Sequence, residues 1–161
     1  MSYLRCAAMI SVSTVVMFGL MYLNTYTADH VFFSQTRAWM AMVLGAVMAP
    51  IMLGFMLGMY KNRRANIAIA VTSVAVFAGA LFLVRSQATV GDAAWMKAMI
   101  PHHSIAIMTS RRAHIRDPRV RRLADEIIAA QVREIAEMKG LIAELERRPL
   151  PANAPELPAG R

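Results

Sequence analysis

Three stretches in the first half of this chain, Cys6 to Thr27, Ala38 to Tyr60 and Ala65 to Val84, contain no charged side chain. Each has roughly 20 residues or more, enough at 1.5 Å per residue to cross a hydrocarbon core about 30 Å thick. A helix packed on a soluble core keeps a polar face, and none of the three has one. The expectation is an all-α chain with three transmembrane helices at about residues 6–27, 38–60 and 65–84, forming an anchor over residues 1–86. Membrane lipid is then the first partner of a chain of 161 residues, and only the remaining half is free to fold in water.

The first run reads as a retained helix and not as a cleaved leader. It has one preceding positive charge, Arg5, and no small-x-small site after it, "NTYTAD" being a poor substrate for cleavage. Cys6 precedes the run, where it is badly placed for lipid attachment, and as the lone cysteine it allows no intrachain disulfide. Loop charges set the orientation: "KNRR" at residues 61–64 lies between the second and third runs, whereas "ADHVFFSQTR" before the second run balances Arg37 against Asp29. The positive-inside rule puts Lys61 and the N-terminus in the cytoplasm and the C-terminal half outside. A methionine series in the second run, Met48, Met52, Met56 and Met59, suits either packing or a soft-metal path, and Gly54 and Gly58 form a small-xxx-small pair.

The net charge of +8 does not point to nucleic acid. From Arg85 onward there are 13 Lys/Arg against 9 Asp/Glu, and no base-reading module is present. Six arginines gather between residues 111 and 122, as in a solvated loop or a segment attracted to anionic headgroups. Residues 149–161, with four prolines, read as a disordered tail. Between anchor and tail, residues 87–148 are divided by "RDPR" at 116–119, because Pro118 cannot continue a helix and Asp117 can cap the one that Pro118 opens. A helical hairpin follows, with arms from about Asp92 to Ile115 and from about Pro118 to Arg147.

At about 100° per residue, Val120, Leu123, Ala124, Ile127, Met138, Leu141, Ile142 and Leu145 form an apolar stripe on the second arm, interrupted by Gln131 and Glu134. A buried carboxylate needs a partner. On the first arm, Met96 and Met99 share the face of His103, His102 lies about 100° to one side, and Met108 about 140° away. Folding the hairpin at Asp117 sets His103 opposite Gln131, Met99 opposite Glu134 and Ile135, and Met96 opposite Met138. Thioether and imidazole together favour copper, Cu(I) above all, over zinc. Met99, His103 and Met138 are then candidate ligands, with Glu134 accepting from the second imidazole nitrogen. The same stripe fits ordinary core filling, since methionine packs well in irregular interiors. No nucleophile–base pair or oxyanion device marks an enzyme.

At "MKAMIPHHSIAIM" (96–108) and "DEIIAAQVREIAEMK" (125–139) the chain resembles the domain of unknown function 305 family. The matching residues include Met99, Pro101, His102, His103, Met108, Gln131, Glu134, Ile135 and Met138, and the likeness covers about residues 92–145. "MYLNTYTADHVF" and "APIMLGFMLGMYKNRRAN" look like the three-helix anchor of one branch of that family. The resemblance implies a ferritin-like hairpin on the outer, periplasmic side of a bacterial inner membrane, with copper as cofactor. It also implies metal positions at Met99, His102, His103, Met108 and Met138, and the folded hairpin sets Met96, Gln131 and Glu134 around them. A copper-handling partner protein belongs to the same picture. A two-helix hairpin buries little area alone, so a homo-oligomer is expected whether the layer binds metal or serves as a scaffold.

Overall fold

The computed structural model describes residues 2–151 and 153–157. It consists of five α-helices: α1 (Tyr3–Leu20), α2 (Gln35–Phe55), α3 (Arg63–Ser86), α4 (Asp92–Arg112) and α5 (Pro118–Arg147). Among the described residues there is no strand. α1, α2 and α3 are each long and apolar enough to cross a membrane. Their outward faces carry Val12, Val15, Val71, Val74 and Phe82, all well exposed, as suits surfaces that meet lipid.

Local capping moves two of the expected boundaries. Ser2 accepts from the Leu4 amide and starts α1 three residues early, and the helix stops at Leu20, where the polar run from Asn24 takes over. Ser34 accepts from the Arg37 amide and opens α2, which runs unbroken through Pro50 and ends at Phe55. Met56 therefore sits at the helix end and Met59 beyond it, so the expected four-methionine face does not exist as one helical stripe.

α2 packs between α1 and α3. Gly45 is the residue that lets α1 approach, since a β-carbon there would run into the Thr14 side chain. Gly54 and Gly58, the expected small-xxx-small pair, face open space instead. At one end of the three helices, Tyr3 Oη donates to Asn66 Oδ1 at 2.8 Å and joins the start of α1 to the start of α3. The opposite end carries the loop between α1 and α2, with a single 3₁₀ turn at Ala28–His30, and the start of α4. There Gln87 takes the left-handed conformation (φ 53°) that turns the chain out of α3.

α4 and α5 form the hairpin. Asp117 accepts from the Arg119 amide at 2.8 Å and Pro118 occupies the first turn of α5, the helix start expected from "RDP". Arg119 holds the Asp117 carboxyl below its ordinary pKa. The core between the arms comprises Met96, Ile100, Ile107, Ile135, Met138 and Ile142. Tyr26 and Phe32 from the α1–α2 loop pack against this core, so the two halves of the chain share it. Of the expected tail, Pro149–Pro151 and residues 153–157 carry no helix; residues 152 and 158–161 lie outside the described residues.

The expected inward stripe of α5 needs correction. Val120, Leu123, Ile127 and Leu141 are exposed, and the buried face is centred on Ala124, Ile135, Met138 and Ile142. The apolar sector of α5 is wider than one partner helix covers, and α4 takes its other edge.

Candidate metal layer of the hairpin

α4 ends at Arg112, three residues short of the expected end, because Ala113 is already extended and Arg121 Nη1 donates to the Ser110 carbonyl at 3.0 Å. The wider turn shifts the register of the hairpin. His103 meets Glu134 and not Gln131, with 2.8 Å between Nε2 and Oε2. A displacement of three residues is nearly one helical turn, and it changes what faces what. Met99, one turn before His103, now lies opposite Met138, one turn after Glu134. Met138 belongs to the buried core and Met99 packs against it. Met96 is buried in the same cluster, whereas Gln131 is half-buried beyond the layer.

The His103–Glu134 pair orients the imidazole. A carboxylate only accepts, so Nε2 carries the proton, and in the neutral form of the ring the lone pair is at Nδ1. That Nδ1 is buried and has no hydrogen-bond partner among the described residues. The side chain of His103 is 12% exposed and that of Glu134 50%. A buried nitrogen with a free lone pair is costly unless something occupies it.

The remaining candidates are not equivalent. His102 is exposed, with its ring 6.1 Å from that of His103 and roughly edge-on. Met108 is half-buried, but α4 stays helical throughout, so its direction remains about 140° from His103. His114 follows the end of α4 and is exposed. Among the described residues no three His, Cys, Asp or Glu converge. An open pocket of about 670 Å³ lies elsewhere, between the first three helices beside Cys6, Thr14, Gly45 and Ser73.

A second polar cluster sits on the neighbouring side of the same turn of α4. Ser104 is fully buried. Its Oγ accepts from the Tyr26 amide at 2.8 Å and lies within hydrogen-bond distance of His30 Nδ1, at 3.0 Å. Lys139 donates to Asp29 at 2.7 Å, and Arg111 donates to Tyr26 Oη at 2.8 Å. Lys139 brings the Asp29 carboxyl down to a pKa of about 2. Burial lowers the His30 pKa and keeps the ring neutral, with Asp29 opposing the shift. Asp29 and His30 are occupied in holding the loop to the hairpin. Nothing local in "TADHVF" signals this, because every partner lies more than seventy residues away.

Residues 85–157 match the family model described as Domain of unknown function (DUF305). The match takes in α4 and α5 whole and begins in the last turn of α3. An uncharacterized protein of Acanthamoeba polyphaga mimivirus is 39% identical over 66 residues, which is 40% of this chain and 43% of that protein. The chain thus spans less than half the length of this curated relative. No solved structure matches.

Proposed function

We propose, with the match of residues 85–157 to that domain as premise, that this chain is a membrane-anchored protein whose hairpin binds Cu(I). Met99, His103 and Met138 would hold the ion, for buffering, sequestration or transfer. The observation that carries this reading is the unpartnered, buried Nδ1 of His103, whose opposite nitrogen is held by Glu134. Carboxylate-held imidazoles recur at metal sites because the acceptor fixes the tautomer and raises the basicity of the ligating nitrogen. The methionines one turn along supply soft sulfur, which suits Cu(I) and gives zinc little. His102 has the exposure of an entry ligand, and Met108 would join only at a second ion or through another subunit.

The anchor reading rests on α1–α3, each long and apolar enough to span a bilayer. Arg5, Lys61, Arg63 and Arg64 lie at one end of these helices and the hairpin at the other, which under the positive-inside rule supports a hairpin outside the cytoplasm. A bacterial inner membrane and a ferritin-like pairing of helices belong to this proposal as well. A second reading, an oligomerisation scaffold, is favoured by Trp95, Leu123, Ile127 and Leu141, which stay exposed on the hairpin. Both readings permit a homo-oligomer and a copper-handling partner.

The test is titration of the purified full chain with Cu(I) against a competing chelator. His103→Ala is expected to lose more than about 100-fold in affinity, since a ligand outranks the group that orients it. The pair Met99→Leu and Met138→Leu, which conserves volume, should weaken binding while leaving the helices folded. Equal affinity of wild type and His103→Ala overturns the copper reading and leaves the scaffold.

A further inference from the structure

We propose that the turn end of the hairpin is a docking surface for anionic lipid headgroups of the membrane that α1–α3 cross. Between residues 111 and 122 the chain has six arginines and a single aspartate. Two are satisfied within the protein: Arg119 pairs with Asp117, and Arg121 with Asp125. Arg112, Arg116 and Arg122 are exposed and make no ion pair among the described residues. Exposure and charge alone describe any solvated turn. The placement of this one sets it apart.

Arg111, on the last turn of α4, donates to Tyr26 Oη and lies 5.2 Å above its ring. Tyr26 is six residues past the end of α1, in the loop that leaves the apolar span. In the same loop Tyr22 lies under the Arg37 guanidinium at 4.5 Å, and Arg37 donates to the Met21 carbonyl. Tyrosine and arginine of this kind gather at the headgroup level of a bilayer. The hairpin is thus fastened down at its arginine end, beside the interface, instead of standing away from it. Three uncompensated guanidiniums at that level meet lipid phosphate, which accepts from arginine in a two-pronged geometry.

The inference rests on the membrane reading of α1–α3, and its test keeps the two apart. The full chain is reconstituted into lipid nanodiscs of zwitterionic phosphatidylcholine alone, or with added anionic phosphatidylglycerol, and amide exchange is followed across residues 112–117. Failure to enter either disc would count against the membrane reading itself. Exchange is expected to slow in the anionic discs, on the order of fivefold for each arginine engaged, and the difference should vanish at high salt. The variant carrying Arg112→Gln, Arg116→Gln and Arg122→Gln should exchange alike in both discs, with the amides of Ile107 and Ile135 as the check that it folds. If it does not fold, the salt series on the wild type decides. Equal exchange in the two lipids overturns the proposal. So does protection in zwitterionic discs on adding polyglutamate but none from the anionic lipid, which would assign the arginines to an acidic protein.

Discussion

His103 and Ser104 are adjacent residues about 100° apart on α4, and they lead to opposite kinds of polar cluster. On the Ser104 side the polar groups meet one another: the hydroxyl accepts from the Tyr26 amide and hydrogen-bonds with His30 Nδ1, while Lys139 and Arg111 reach across to the same loop. On the His103 side one nitrogen is held by Glu134 and the other has nothing. The difference lies in satisfied valence. A closed cluster holds parts together, whereas an open one leaves a lone pair for a ligand.

This contrast breaks most severely at Ser104. Replacing Ser104 with Leu overfills a site without free volume and strips the Tyr26 amide of its acceptor. A loss of about 3 kcal/mol in the protection of α4 amides is expected, read by hydrogen exchange, with residual Cu(I) affinity in the folded fraction unchanged. Glu134→Gln should do the reverse: Cu(I) affinity falls about 10- to 100-fold by chelator competition, while α4 protection hardly moves. If both substitutions weaken copper equally, the two clusters are one.

Acid gives a smaller effect on the closed cluster. The His30 pKa is lowered in the fold, so the unfolded or undocked state binds the proton more readily. Loop docking is therefore complete above the ordinary histidine value of 6.5 and weakens as pH falls below it. Asp29 adds a second loss only between 3.8 and about 2. Exchange of the Tyr26 amide should thus accelerate, relative to the intrinsic rate, between pH 7 and pH 5 in the wild type and stay level in His30→Gln. The least change is expected from Met108→Leu, which should leave Cu(I) affinity of the single chain within about twofold, because the residue points away from His103.

Much of the hairpin was legible in advance because its signals are local. Asp117 and Pro118 mark their own helix start, and uncharged length marks the three long apolar helices. Glu134, expected in the inward stripe and in need of a partner, does pair with His103, but its side chain is half exposed and not buried. The register was not legible to within a turn, since it depends on where α4 stops, and that is set by Arg121 reaching back to the Ser110 carbonyl. The inward edge of α5 was misjudged for a related reason. Periodicity shows that Leu123, Ile127 and Leu141 share a side but not how much of that side one neighbour covers. The loop contacts were beyond reach, because Tyr26, Asp29 and His30 find partners 78, 110 and 74 residues away.

The loop that grips Ser104 also decides how the hairpin moves. Only residues 87–91 separate α3 from α4, and a body on such a leash alone would tilt and rotate freely. A second attachment, made through Tyr26, Asp29 and His30, removes that freedom. The His103 layer then keeps a constant height and heading above the three long helices. If α1–α3 cross a bilayer, as proposed, any partner in that bilayer would search for this layer over a plane and not through the volume a swinging domain would sweep.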